Sequence, residues 1–310
     1  MWRLVLVVSL LCCSSEASVS CKDEKGDEVD WYILYKTPKS LKDGLGYVYI
    51  YPDNNKVIQS GVNTKPINAA DSFLAKTLHQ LLHFDIKNPS ETFGFISYND
   101  QPPGCNAQPE KFGHSKGIVM VEKAKTGVWL IHSTPQFPFT RDPKTFYPPS
   151  GQTNAQIFMC VTFNYDQFKL IGKHLQYIRA FSFDHHIPEG LEEELRKAAE
   201  WRDWGEATPS GLYQQPHSKG GQMFYSITNH GPKNEKGDLY DTISKKLKID
   251  LSDLKVQTWP SKDDVPDSDE TVEGFVFSHT AAELHDFNLK THSSRKQPVV
   301  DVVDVVGWCG

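Results

Sequence analysis

The apolar positions of this chain fall into short runs broken by turn residues, and the densest runs lie near its middle. Ile118-Val119-Met120-Val121 and Val128-Trp129-Leu130-Ile131 flank the polar segment Lys123-Ala124-Lys125-Thr126-Gly127, a pattern that predicts a two-stranded hairpin. Val29–Lys36 and Gly46–Tyr51 are strand-like, the first ended by Thr37-Pro38 and the second by Pro52-Asp53-Asn54-Asn55. Thr92–Tyr98 and Ile157–Phe163 read as further strands, whereas Phe73, Leu74, Leu78, Leu81 and Leu82 share one face of a helix over residues 69–83. The second half repeats the mixture. Helices are predicted at 166–175, 190–201 and 238–247, and strands at 177–183, 223–228, 254–259 and 274–278. His185-His186 reads as a solvated turn and residues 260–270 as an acidic linker. Strands and helices alternate throughout, which predicts an α/β layered architecture. Residues 18–165 and 166–310 are alike in size and makeup, which points to two related halves.

Composition supports a real core, with 38% apolar and 12% aromatic residues in 310. Residues 1–17 read as a secretory signal: Arg3 is the basic start, Leu4 to Cys13 the apolar stretch, and Ser15-Glu16-Ala17 the cleavage site. That stretch is too short to span a bilayer and no later one replaces it, so no membrane anchor is expected. The expected route is secretory, ending in lysosomes or outside the cell. Cys21, Cys105, Cys160 and Cys309 remain after the signal, and four cysteines allow three pairings. They lack C-x-x-C spacing, and no H-E-x-x-H, Walker loop or EF-hand pattern is present, so neither a metal nor a cofactor is expected. Formal net charge is −6, which disfavours a polyanionic partner at neutral pH. The twelve His residues would carry it to at most +6 if all were protonated. A chain that turns cationic in acid can bind nucleic acid there.

The candidate chemistry begins where the hairpin begins. In Gly113-His114-Ser115-Lys116-Gly117, His114 and Lys116 lie two apart, hence on one side of a strand. An ammonium holds phosphate oxygens, and an imidazole can attack phosphorus or move a proton. Such chemistry needs a second imidazole. His217-Ser218-Lys219-Gly220 repeats the first tetrapeptide. Thr291-His292-Ser293-Ser294 offers His292 without the Lys, followed by Arg295 and Lys296. His132 ends the strand paired with the one after His114 and is a possible site residue. His79 and His83, four apart on a helix, lack a third ligand and read as surface or core histidines.

Taken in order, several segments make the chain resemble the deoxyribonuclease II family. They are Val29-Asp30-Trp31 with Tyr35-Lys36, Tyr98-Asn99-Asp100-Gln101-Pro102-Pro103, Gly113-His114-Ser115-Lys116-Gly117, Trp129-Leu130-Ile131-His132-Ser133, Gly151-Gln152-Thr153, Cys160-Val161-Thr162-Phe163 and Gly237-Asp238-Leu239-Tyr240. The resemblance runs from Cys21 to about Ser293. It implies a phospholipase D-like α/β fold of two similar halves, each a mixed sheet flanked by helices. It also implies an endonuclease that cuts double-stranded DNA without sequence preference, at acid pH, without metal, leaving 3′-phosphates. One histidine would be nucleophile and another general acid. His114, Lys116 and His292 would be catalytic, and Cys21 would pair with Cys160; His217 and Lys219 match no family motif and read as a coincidental repeat, while staying a possible site. No obligate protein partner is expected. The chain departs from the family where Ser294 stands in place of a Lys and the valine-rich run 299–306 replaces the family's ending. An altered or truncated end leaves a second reading open, a catalytically impaired DNA-binding homologue.

Overall fold

The computed structural model describes residues 18–53, 56–60, 65–107, 111–201, 212–228, 239–248, 254–257, 273–278 and 300–304. Two short strands, β1 (Cys21–Lys22) and β2 (Glu28–Val29), pair with each other. They lead into β3 (Trp31–Lys36), β4 (Tyr47–Asp53) and β5 (Lys56–Ser60). The helices α1 (Phe73–Thr77) and α2 (His79–Leu82) follow, then β6 (Phe93–Asn99), β7 (Lys116–Glu122), β8 (Thr126–His132) and β9 (Gln156–Asn164). After α3 (Phe168–Tyr177) come β10 (Ser182–His186) and α4 (Glu193–Ala199). Eight of these strands form one sheet in the order β10-β6-β7-β8-β9-β3-β4-β5, and every neighbouring pair is antiparallel.

The apolar runs of the hairpin are explained by what lies on either side of them. Every residue of β6, β7 and β8 is buried, because helices cover both faces. Alternate residues divide between two cores. Ile118, Met120, Val128 and Leu130 pack with Phe73, Leu74, Leu78 and Leu81 of the α1–α2 segment. Val119, Val121, Trp129 and Ile131 pack with Phe168, Ile171, Leu175 and Leu195 of α3 and α4. Residue 165, where the two halves are expected to divide, falls between β9 and α3; α3 and α4 cover this sheet and β10 is its edge strand.

Three local expectations are corrected. The single helix over 69–83 is two short ones, broken at Leu78, whose ψ is 9°. Its start is set by Ser72, which accepts from the Ala75 amide at 3.2 Å. The strand expected at 177–183 begins five residues later, because α3 runs on to Tyr177 and Arg179 closes it in the left-handed region, φ 51°. His185 and His186 then belong to β10, opposite Ile96 and Phe95, rather than to a turn.

A second sheet contains β11 (Leu212–Gln214), β12 (Tyr225–Thr228), β13 (Leu254–Gln257), β14 (Glu273–Ser278) and β15 (Val300–Asp304), in the order β11-β12-β14-β15-β13. Between β12 and β13 lies α5 (Leu239–Leu247). The valine-rich run thus supplies a strand, parallel to β13 and antiparallel to β14. The chain is therefore a mixed α/β protein built on a large antiparallel sheet flanked by helices. The expected signal, residues 1–17, lies outside the described residues. Among the described residues no helix is long and apolar enough to cross a membrane.

Candidate active site

The site forms where β6 ends and β7 begins. Their antiparallel register sets Asn99 opposite Lys116, and the Asp100 amide donates to the Ser115 carbonyl at 3.2 Å. Asp100 is thereby delivered beside the two residues that the strand period places on one side. His114 Nδ1 lies 2.7 Å from Asp100 Oδ2, and the Lys116 ammonium donates to Asp100 Oδ1. His114 and Lys116 are both buried, with relative exposures of 8% and 3%. Burial pushes the Asp100 carboxyl upward. The His114 hydrogen bond and the Lys116 charge outweigh it and hold the group below the ordinary carboxylate range. An ionised Asp100 accepts from His114 Nδ1, so in the neutral imidazole Nε2 is the atom that carries the lone pair. That Nε2 is buried and has no protein partner among the described residues.

His132 reaches the same place from the next strand. The pairing of Gly117 with Ile131 puts Lys116 opposite His132. The imidazole is fully buried, edge-on to Phe137 at 4.9 Å and stacked on Phe158 at 5.6 Å. The Thr134 amide donates to its Nδ1 at 3.1 Å, so its own proton sits on Nε2, which also lacks a protein partner. Burial first, and the Lys116 charge second, push its pKa well below the ordinary imidazole value. Asn99 fixes the loops around this pair. Its amide donates to the Thr134 and Phe137 carbonyls, both at 3.2 Å, and its Oδ1 accepts from the Gln101 amide at 2.9 Å. The arrangement is one ammonium and two buried imidazole nitrogens at one end of the sheet, with a carboxylate bound to one imidazole and to the ammonium.

The deoxyribonuclease II family model matches residues 20–295. The chain belongs to this family. Deoxyribonuclease-2 of Caenorhabditis elegans is 32% identical over 306 residues, covering 84% of this chain and 76% of the relative. Deoxyribonuclease-2-alpha of Rattus norvegicus is 32% identical over 274 residues, covering 83% of this chain and 73% of the relative. Deoxyribonuclease-2-beta of Homo sapiens is 34% identical over 184 residues, and there the chain spans 50% of the relative's length.

Other expected features of this deoxyribonuclease II relative are placed as follows. Cys21 and Cys160 are joined, with Cα atoms 6.0 Å apart, as the family resemblance implied. Cys105 is an exposed free thiol, and Cys309 lies outside the described residues. His292 also lies outside them. His217 and Lys219 are described, and the structure does not bring them to His114. Ser218 bridges to Phe163, five residues along β9 from the Phe158 that pairs with His132, about 17 Å away along the strand. There the tetrapeptide makes a docking turn: the Ser218 hydroxyl and the Gly220 amide both donate to Asp30, and Lys219 Nζ donates to Glu28. His79 and His83 lie with rings 4.2 Å apart, but among the described residues no three candidate ligands converge on a metal position.

One site residue, Asp100, escaped the sequence reading as chemistry, although it lies in a segment that carried the resemblance, since its partnership depends on the β6–β7 register. Lys36, in another such segment, is a buried cation outside the Asp100 cluster. It is fully buried at the same end of the sheet and donates to the Gly151 and Gln152 carbonyls at 2.6 and 3.1 Å. Burial lowers its pKa to about 8.

Proposed function

We propose that this chain is an acid endonuclease that hydrolyses DNA phosphodiester bonds without a metal and leaves 3′-phosphate ends. The observation that carries the reading is the Asp100–His114–Lys116 cluster. In it a carboxylate orients an imidazole and a buried ammonium supplies the positive charge a phosphodiester requires. Lys116 holds a non-bridging oxygen. His114 Nε2 attacks phosphorus and forms a P–N bond as the bond to the 5′-oxygen breaks, and a second imidazole gives that oxygen a proton. Water then attacks the phosphohistidine, gives its proton to that imidazole, and releases His114 and a 3′-phosphate. The resemblance assigns the second imidazole to His292. We assign His132, whose Nδ1 accepts from the Thr134 amide, the role of giving its Nε2 proton to a phosphate oxygen as charge builds there. The related names Deoxyribonuclease-2 and Deoxyribonuclease-2-alpha support DNA as substrate.

The wider reading has two phospholipase D-like halves meeting at this site, a lysosomal or secreted location, and double-stranded DNA bound without sequence preference. Ser294 in place of the second Lys favours a competing reading, a chain that binds DNA but cuts it poorly. Plasmid nicking by purified protein at pH 5 in EDTA separates them. The nuclease reading expects nicked product whose ends terminal transferase extends only after phosphatase treatment. DNA binding with no nicking sustains the impaired homologue instead.

A further inference from the structure

Beside the His114 segment stand three aromatic rings that belong to neither buried core. Phe112 meets Phe181 edge-on at 4.7 Å and Trp201 at 5.1 Å, and Phe181 stacks on Trp201 at 5.3 Å. Phe112 and Phe181 are half-buried and Trp201 is 40% exposed. Backbone hydrogen bonds tie this trio to the site. The Asn99 amide donates to the Phe181 carbonyl at 3.0 Å, on the other side of the β6 end from the Asp100–Ser115 bond. The Gly113 amide, between Phe112 and His114, donates to the Arg179 carbonyl at 3.1 Å. Phe181 and Ser115 therefore flank the end of β6, two strand spacings or about 10 Å apart. Trp201 follows α4 in the left-handed region, φ 54°, where a bulky side chain carries backbone strain that glycine would not. The strain is tolerated at a position that turns an indole onto the other two rings.

We propose that Phe112, Phe181 and Trp201 form a stacking platform for an unpaired base of the strand being cut. The inference rests on the nuclease reading and deepens it by naming a contact that selects the substrate. The backbone spacing of about 10 Å between Phe181 and Ser115 is on the order of three duplex base steps, and fewer once the strand unstacks. Aromatic faces hold bases without sequence preference, since every base presents a π-face. The three rings pack on one another outside the two cores, with Phe112 and Phe181 half-buried and Trp201 exposed. Such a platform favours frayed, nicked or single-stranded DNA, whose bases are already free to leave the stack.

The test uses the full chain carrying His114→Ala, which binds without cutting, and a series of single-stranded 12-mers with one abasic position each, at pH 5. The expected profile has one or two positions, on one side of the bound phosphate, where losing the base weakens binding by about 5- to 100-fold. In His114→Ala/Trp201→Leu that dip should vanish, while affinity for the intact 12-mer falls by a similar factor. Trp201→Phe should restore part of it, which a purely apolar contact would not require. Phe112→Leu should act like Trp201→Leu, and serves if the Trp201 variant fails to fold. A flat abasic profile, or a dip that survives Trp201→Leu, overturns the platform while leaving nicking by the unsubstituted chain intact. A chain that neither binds the 12-mers nor nicks plasmid overturns the nuclease reading along with it.

Discussion

Asp100 is hydrogen-bonded through one oxygen to His114 Nδ1 at 2.7 Å and through the other to the Lys116 ammonium. One carboxylate therefore holds both the candidate nucleophile and the candidate phosphate-binding cation. Asp100→Asn keeps the shape but cannot accept from both donors with full charge. Nicking at pH 5 should fall by about 10²- to 10⁴-fold, the range for losing acid–base support. DNA affinity should change little, since Lys116 stays. An unchanged nicking rate would remove Asp100 from the mechanism.

The same carboxylate makes a stability prediction with a definite sign. Its folded pKa is depressed, so its contribution is present above the unfolded value of about 3.9 and lost as pH falls through the lower folded value. The gap in melting temperature between the parent chain and Asp100→Asn should thus be constant from pH 7 to 5 and close in stronger acid. Thermal melts at pH 7, 5 and 2.5 check it.

His132 should lose its contribution in the same direction, on acidification, but in a higher pH window. Its folded pKa lies well below the unfolded imidazole value of about 6.5, so the folded state resists a proton that the unfolded chain accepts. Stability attributable to His132 is full above pH 6.5 and declines as pH falls below it. His132→Gln should flatten that part of the pH–stability curve. Nitrogen chemical shifts of His132 should report the Nε2–H neutral form at pH 5, and an imidazolium signal there would contradict the assignment.

The disulfide between β1 and β9 closes a loop with a sequence separation of 139. In the chain-entropy account a loop of that size is worth about 4–5 kcal/mol. Cys160→Ser paired with Cys21→Ser should lower the denaturant midpoint accordingly. A double variant as stable as the parent would mean that the Cys21–Thr162 hydrogen bond at 3.0 Å, and the packing around it, hold β1 unaided.

What could be read from the sequence divides along physical lines. The hairpin, β3, β9 and α3 were legible because each carries its own period, and His114 with Lys116 was legible because the two lie two residues apart where β7 begins. Asp100 was not, since it comes from sixteen residues upstream and its partner is set by the 99–116 register. The break at Leu78 and the late start of β10 depend on single backbone angles that apolar periodicity does not encode. His217-Ser218-Lys219 shows the converse: identical letters, but Asp30 and Thr162 offer them a docking turn, with the Lys219 amide donating to Thr162 at 2.8 Å.

That contrast sets the last prediction. Lys219 and Glu28 form an exposed pair 3.1 Å apart, a contact worth little, about 0–1 kcal/mol. His217 is exposed and stands at the far end of the sheet from His114. His217→Ala and Lys219→Ala should therefore leave nicking unchanged. Ser218→Ala, which strips Asp30 of a hydroxyl partner, should cost about 1–3 kcal/mol of stability without changing the chemistry of the surviving folded protein. His114→Ala should abolish nicking outright, and His292→Ala should do the same if the family's second imidazole serves here. Ser294→Lys then asks whether a missing cation limits the rate. On a strand, Lys296 would share a side with His292 but sit about 7 Å further along than Ser294, so Lys at 294 should raise a weak activity. Should His217→Ala silence the enzyme while His292→Ala does not, the second tetrapeptide is the working partner and the two ends of the sheet must meet in some other arrangement of the chain.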